Sequence, residues 1–199
     1  MCGITGFCYR NKSIKDPKKK ILQMVHLLKH RGPDKSKIFC SNEYCSGTSR
    51  LEIENIKDGS QPYFDKKNKL IINFNGEIFN YKFLIKKFFP EGNIKTEISL
   101  LIELFKKKDV GFVNEIDGQF AISIYDINKK ILYLFRDRFG IRPLFYTYKN
   151  SSFAFSSEIK SIFSFYKTTF STSFESVLNT SMIWTNYENL TAFEEIKQL

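Results

Sequence analysis

The sequence predicts an α+β fold, and the order of its local patterns supports this class. Short β-prone runs alternate irregularly with runs at helical spacing, and three strand patterns follow one another closely between residues 120 and 148. Short connections imply antiparallel pairing, so we expect helices packed on antiparallel sheets. The 199 residues are 42% hydrophobic and 16% aromatic, which indicates a folded chain rather than a disordered one.

Each predicted element rests on a local pattern. Strands are predicted at residues 3–9, 69–74, 120–125, 131–135, 144–148 and 152–156. Helices are predicted at residues 18–30, 81–88, 96–108 and 158–166, with Asn80 as the N-cap of the second. Asn75 and Gly76 are typical of a tight turn. The last thirty residues have no clear period and are interpreted as a linker or the start of a further unit.

Charge and hydropathy exclude some partners. The net charge is +10, but the lysines form short scattered clusters that are not interleaved with aromatic residues, which is typical of solvated surfaces. We therefore expect no nucleic-acid partner. The apolar runs are too short to cross a membrane, and the N-terminus lacks a signal-peptide pattern, so we expect a cytoplasmic protein with no membrane partner.

The four cysteines are Cys2, Cys8, Cys40 and Cys45. Their spacing does not match zinc ligands, and only two histidines accompany them, so no metal site is predicted. In a cytoplasmic protein all four are expected to be thiols.

Cys2 is the candidate nucleophile. A small second residue normally allows removal of Met1, which leaves a free α-amine beside the thiol. An α-amine titrates near pH 8, so at neutral pH part of it is unprotonated and accepts the thiol proton. The alternative is that Cys2 is simply a small buried thiol.

Other polar residues complete a candidate site. Acyl transfer needs hydrogen-bond donors for an oxyanion, and Asn75 and Gly76 offer a side-chain amide and a backbone N–H close together. Recognition of an amino acid needs a guanidinium for its carboxylate and an acid for its amine, which Arg50, Glu77 and Glu97 supply. Considered singly, a residue of each of these three types is more often a surface charge than a substrate ligand.

Six motifs together resemble one family. They are Met1-Cys2-Gly3-Ile4-Thr5-Gly6, His30-Arg31-Gly32-Pro33-Asp34, Asn75-Gly76-Glu77-Ile78-Phe79-Asn80-Tyr81, Asp117-Gly118-Gln119-Phe120-Ala121, Arg136-Asp137-Arg138-Phe139-Gly140-Ile141-Arg142-Pro143-Leu144 and Ser157-Glu158-Ile159-Lys160. With these motifs the chain resembles the glutaminase domain of glutamine-hydrolysing asparagine synthetases, which are class II amidotransferases within the N-terminal nucleophile hydrolases.

The resemblance implies an αββα sandwich of two antiparallel sheets flanked by helices, with the amidotransferase domain at residues 2–165. It implies that Cys2 attacks the glutamine amide and that Asn75 and Gly76 bind the oxyanion. Arg50 would bind the substrate carboxylate, and Glu77 with Glu97 the amine. The backbone at Leu51 and Ile53 would line the pocket.

The chain departs from the family in two ways. Glu97 stands where the family usually has Asp, one methylene shorter, so a non-catalytic regulatory or interaction module of the same fold is the alternative function. Residues 166–199 would form the end of the domain and the approach to a synthetase domain that the sequence lacks. Ammonia made from L-glutamine would then serve that domain in cis or in trans. ATP and Mg²⁺ are expected only there, with no cofactor in this chain. A second copy of the chain, in a homodimer, is the other partner considered.

Overall fold

The structure is a computed structural model that describes residues 1–10, 14–52, 60–166 and 168–199. Its elements in chain order are β1 (Gly3–Tyr9), α1 (Pro17–His26), β2 (Lys35–Cys40), β3 (Tyr44–Arg50), β4 (Tyr63–Asp65), β5 (Leu70–Ile78), α2 (Tyr81–Phe88), α3 (Glu97–Lys108), a 3₁₀ helix (Asp109–Glu115), β6 (Gly118–Asp126), β7 (Ile131–Arg136), β8 (Phe145–Lys149), β9 (Ser152–Ser156), α4 (Ile159–Tyr166), α5 (Phe174–Ile183) and β10 (Lys197–Gln198).

The strands form two antiparallel sheets. One has six strands in the order β10-β8-β9-β1-β3-β2, and the other has four in the order β4-β5-β6-β7. Helices α1 and α4 pack on the outer face of the six-stranded sheet, and α3 packs on β5 of the other. The predicted α+β class and its αββα sandwich are therefore confirmed.

Alternation along the strands divides the core into three layers, because successive side chains of a strand face opposite sides. On β5, Ile72 and Phe74 pack towards the helices, whereas Ile71 faces the six-stranded sheet. Ile4 of β1 and Tyr44 of β3 meet Ile71 in the layer between the sheets. This inner layer ends at the site described below.

Local capping explains where the helices begin. The Asp16 side chain accepts a hydrogen bond from the Lys19 N–H at 3.0 Å, and Pro17 follows in the first turn of α1, where its missing N–H costs nothing. Thr96 and Ser99 form a reciprocal capping box at the start of α3. The predicted helix over residues 18–30 ends earlier, at His26.

The tight turn predicted at Asn75 and Gly76 is wrong. Both residues lie inside β5, where they pair with Ala121 and Phe120 of β6. Sheet pairing therefore overrides the local turn preference of this dipeptide. Asn80 does stand at the N-cap position of α2, but its side chain makes no cap hydrogen bond and instead bonds the backbone at residues 115 and 117.

Two features of the first half were not predicted. The β2–β3 hairpin escaped prediction because β3, Tyr44–Arg50, is built largely from small and polar residues. Its register pairs Cys40 with Cys45, and the two sulfurs form a disulfide. The expectation of four thiols is thus wrong for this pair. Cys2 and Cys8 are free.

The C-terminal segment folds as α5 and β10, although its sequence showed no clear period. The short β10 pairs with β8. Around α5 lie large apolar side chains that are exposed, namely Phe174, Val177, Leu178, Met182, Ile183, Trp184 and Tyr187. Across the described ranges, no helix is both long and apolar enough to span a membrane.

Candidate active site

A cavity of about 250 Å³ opens at one end of the inner layer. It brings together all of the predicted site residues that the structure describes: Cys2, Arg50, Leu51, Asn75, Gly76, Glu77 and Glu97. Ile53 lies outside the described residues. The cavity wall adds residues to which the sequence assigned no role, among them Gln61 and Arg142.

Cys2 lies immediately before β1 and is half-buried. Its Sγ is 3.8 Å from the carbonyl oxygen of Leu51. The start of β1 is fixed by Ser157, whose Oγ accepts from the Ile4 N–H at 3.0 Å and whose N–H donates to the Ile4 carbonyl at 2.8 Å. Cys2 therefore lies directly before a strand end that hydrogen bonds hold in place. Met1 also lines the cavity and is exposed.

Cys8, at the other end of β1, has a different environment. Burial, with a smaller contribution from the charge of Glu43, raises the pKa of its thiol to about 12. A thiol with such a pKa is almost entirely protonated at neutral pH and is a poor nucleophile. Of the two free cysteines, only Cys2 lies in the cavity.

Arg31 links the backbone of Cys2 to Glu158, which lies between β9 and α4. Its Nε donates to the Cys2 carbonyl at 3.2 Å and its Nη1 donates to Glu158 Oε1 at 3.1 Å. Burial raises the pKa of the Glu158 carboxyl, but hydrogen bonds from His30, Lys160 and Arg31 outweigh it, so the net pKa is lowered. The carboxylate therefore remains ionised and orients Arg31 beside Cys2.

The rest of the His-Arg-Gly-Pro-Asp motif shapes the end of β3. A Cβ on Gly32 would lie 2.4 Å from the Ser49 carbonyl oxygen, so only glycine allows this approach. The Asp34 N–H donates to the Arg50 carbonyl at 3.1 Å, and the Asp34 carboxylate accepts from the Glu52 N–H at 2.8 Å. The motif thus positions the backbone on both sides of Leu51.

Arg50 places its guanidinium in the cavity wall with only 6% of its surface exposed. Glu52 Oε1 lies 3.5 Å from its Nη1 and 2.9 Å from Lys35 Nζ. Glu52 therefore orients the Arg50 guanidinium and also forms an ion pair with Lys35. A guanidinium held in this way is suited to bidentate binding of a carboxylate.

The edge of β5 that faces away from β6 provides hydrogen-bond donors. The Phe74 N–H donates to Gln61 Oε1 at 2.6 Å, and the Ile78 N–H donates to Glu97 Oε1 at 2.7 Å. Alternate N–H groups of a strand point to the same side. The N–H of Gly76, midway between these two, therefore faces the same edge and the cavity.

The pairing of β6 supports this direction. Phe120 is the register partner of Gly76. Its N–H donates to the Asp137 carboxylate at 3.1 Å and its carbonyl accepts from the Asp137 N–H at 2.9 Å, so both backbone groups are directed to Asp137. Beside the Gly76 N–H, the Asn75 side chain is buried, and within the described part of the chain its Nδ2 has no hydrogen-bond partner. Two donors thus meet in the cavity wall, which is the arrangement of an oxyanion hole.

Two acids line the cavity close to this edge of β5. Glu97 begins α3, where a negative charge is favoured by the helix dipole. Its carboxylate reaches the β5 edge through the Ile78 N–H, so the longer side chain that replaces the usual Asp still lies at the cavity. Glu77 is exposed at the mouth.

The loop after β7 completes the wall. Burial raises the pKa of the Asp137 carboxyl, but backbone N–H groups of Arg142, Ile141, Phe120 and Phe139 bond the carboxylate and lower the pKa overall. Arg136 donates to the Arg142 and Gly140 carbonyls. These bonds fix Arg142, whose buried Nε has no partner among the described residues.

The sequence signals for the added residues were incomplete. Arg31, Asp137 and Arg142 lie in motifs that carried the resemblance, but neither spacing nor residue type indicated what they contact. Gln61 belongs to none of these motifs. Among the ranges that the structure covers, no group of three or more His, Cys, Asp or Glu residues is arranged to hold a metal ion.

Comparisons with known proteins agree with this geometry. A sequence model of the family described as "Glutamine amidotransferase domain" matches residues 1–199. The chain is 36% identical over 172 residues to asparagine synthetase (glutamine-hydrolyzing) 2 of Bacillus subtilis, covering 82% of this chain and 22% of that protein. It is 29% identical over 165 residues to asparagine synthetase B (glutamine-hydrolyzing) of Escherichia coli, covering 81% and 30%. The chain thus spans less than a third of the length of these two relatives.

Solved structures share the fold. Glutamine phosphoribosylpyrophosphate amidotransferase of Bacillus subtilis superposes with a TM-score of 0.67 at 17% identity, covering 81% of this chain and 43% of that one. A structure described as the allosteric regulatory enzyme of purine biosynthesis superposes with a TM-score of 0.65 at 17% identity, covering 82% and 43%. The family model, the asparagine synthetase relatives and the sandwich agree, and the chain belongs to the glutamine amidotransferase domain family.

Proposed function

We propose that this chain hydrolyses L-glutamine to glutamate and ammonia through a γ-glutamyl thioester on Cys2. The observation that carries the proposal is the single cavity in which a half-buried thiol meets two hydrogen-bond donors, one buried guanidinium and two acids. Each group matches one part of glutamine: the side-chain amide, its developing oxyanion, the carboxylate and the amine.

The chemistry requires removal of Met1, because only then is the nitrogen of Cys2 a free amine. This amine takes the thiol proton, and Sγ attacks the amide carbon of the substrate. The oxyanion accepts hydrogen bonds from Asn75 Nδ2 and the Gly76 N–H. The protonated amine then returns its proton to the leaving nitrogen, which departs as ammonia. Water, deprotonated by the same amine, attacks the thioester, and glutamate and the thiol are released.

Substrate recognition follows from the charges of the cavity. Arg50 binds the α-carboxylate, while Glu77 and Glu97 bind the ammonium group. Leu51 also lines the pocket. This chemistry requires no metal or cofactor.

The destination of the ammonia is a separate part of the proposal. The relatives above extend well beyond the length of this chain. We propose that residues 166–199 complete the amidotransferase domain of residues 2–165 with α5 and β10 and then lead to a synthetase domain in cis or a partner in trans. ATP and Mg²⁺ belong to that synthetase reaction. Location in the cytoplasm and assembly as a homodimer stay predictions, to be checked by fractionation and by sedimentation.

The decisive experiment compares Cys2→Ala with the parent chain. We expect the parent to release ammonia from glutamine and to be modified stoichiometrically at Cys2 by a glutamine-like electrophile, as read from the mass of its N-terminal peptide. Cys2→Ala should do neither, whereas the matched variant Cys8→Ala should do both. Equal ammonia release by Cys2→Ala would refute the mechanism. A parent chain that is neither active nor labelled after Met1 removal would instead identify the non-catalytic module.

A further inference from the structure

A short chain of hydrogen-bonded polar side chains crosses the layer between the two sheets. Thr48 of β3 donates from Oγ1 to Asn73 Oδ1 at 3.0 Å, and Asn73 of β5 donates from Nδ2 to Ser123 Oγ of β6 at 2.9 Å. All three residues are fully buried. Because β3 and β5 belong to different sheets, the bond between Thr48 and Asn73 connects the sheets directly.

This connection lies one pleat behind the site. Thr48 precedes Arg50 by two residues on β3, and Asn73 precedes Asn75 by two residues on β5, so each pair shares a strand face. Two residues of a strand span about 7 Å. The bond between the sheets therefore lies close to the two side chains that we assign to opposite ends of the substrate.

Stability alone does not account for this polar chain. Its neighbours in the layer include Ile4, Tyr44 and Ile71, and replacing both partners of a buried hydrogen bond by apolar groups of the same shape is nearly neutral for stability. A hydrogen bond differs from an apolar contact in restricting both distance and direction. The bond between Thr48 and Asn73 thus fixes the spacing of β3 and β5 where apolar packing would allow small shifts.

We propose that Thr48 and Asn73 are positioning residues that set the distance between the Arg50 guanidinium and the oxyanion donors at Asn75 and Gly76. The distance between a carboxylate site and an oxyanion site selects the length of the substrate side chain. The link therefore makes the site prefer glutamine over asparagine, which is one methylene shorter. This inference rests on the proposed glutaminase function.

The test removes the link without changing the volume of the side chain. In Thr48→Val we expect kcat/KM for glutamine to fall by about 10- to 100-fold, the range that follows from misplacing reacting groups by up to 1 Å. The loss should lie mainly in kcat, and the ratio of kcat/KM for glutamine to that for asparagine should fall. Thr48→Ser, which keeps the hydroxyl, should restore both quantities.

Thr147→Val is the matched control. Thr147 is a buried threonine of β8 that donates from Oγ1 to the Glu195 carbonyl at 2.6 Å, outside the cavity wall. This variant should lose thermal stability without a change in kcat or substrate preference. If Thr48→Val does not fold, Thr48→Val combined with Asn73→Leu removes both polar partners and is measured in its place.

Unchanged kcat and substrate preference in folded Thr48→Val would overturn the positioning role, as would an equal kinetic change in Thr147→Val. The parent chain is measured first. A parent that releases no ammonia from glutamine would reject the proposed function itself. If the parent is active and Thr48→Val has the same kcat and substrate preference as the parent, only the inference about spacing is rejected.

Discussion

Replacing Gly76 with alanine adds a single methyl group to β5 on the side of β6. The new Cβ would lie 2.2 Å from the Gln119 carbonyl oxygen and 2.7 Å from the Phe120 Cα. Both contacts are with backbone, which has no alternative rotamer. The added methyl group therefore has to displace the strand itself.

The displacement determines the expected loss. Carbon atoms in contact lie about 3.5 to 4 Å apart, so β5 and β6 must separate locally by about 1 Å. The N–H of Gly76 moves with the strand. A misplacement of about 1 Å in a reacting site costs about 100-fold in rate, which corresponds to about 2.7 kcal/mol of transition-state stabilisation.

Steady-state ammonia release from glutamine, with kcat and KM determined separately, measures this loss. We expect the fall to lie in kcat, because the oxyanion forms only after binding. Gly111→Ala is the matched control, since a Cβ at Gly111 meets nothing within 4 Å, and its kcat should equal that of the parent. A folded Gly76→Ala variant with kcat within about twofold of the parent, well short of the loss worked out above, would refute the oxyanion assignment.

Three further substitutions test other residues in and around the cavity. Glu97→Gln retains an oxygen acceptor for the Ile78 N–H but removes the charge, so KM for glutamine should rise about tenfold with kcat little changed; an unchanged KM would exclude Glu97 from amine binding. Arg31→Lys loses the planar fork that bonds the Cys2 carbonyl, so kcat should fall about tenfold, as measured by ammonia release; parental kcat would argue against this support.

Asp137→Asn should lower the unfolding free energy at neutral pH by about 2 kcal/mol, because the ionised carboxylate accepts several backbone bonds. Since folding lowers its pKa, this contribution is complete above the ordinary carboxyl pKa of about 4 and is lost as pH falls through the folded-state value. The Tm, measured by circular dichroism, should therefore fall less on acidification in Asp137→Asn than in the parent. An equal fall in both proteins would contradict the stabilising role of the ionised Asp137 carboxylate.

Sequence reasoning worked where burial produces a regular pattern. The strands at residues 3–9 and 120–125 and the helix at residues 96–108 have alternating or helical apolar positions, and the structure contains each of them. The β2–β3 hairpin was missed because Tyr44–Arg50 is fully buried yet mostly small or polar. Its burial comes from its central place between neighbouring elements, which a local window of sequence does not contain.

The candidate site shows a related limit. Residue types and the resemblance identified Cys2 and Arg50 as members of one cavity, but they assigned Asn75 and Gly76 to a tight turn as well. Only the pairing with β6 shows that glycine is needed for close approach to a neighbouring strand. Gln61 accepts its hydrogen bond from the Phe74 N–H at the edge of β5. This contact forms only when the chain folds, so the residues next to Gln61 in sequence do not indicate it.

The exposed Trp184 at the end of α5 has a practical consequence for spectroscopy. It is the only tryptophan of the chain and is 91% exposed. Its emission in the folded protein should already resemble that of a tryptophan in water, so intrinsic fluorescence will follow unfolding of the sandwich poorly. The same residue is a built-in reporter for the C-terminal segment, because a blue shift of its emission would signal that something apolar has covered α5.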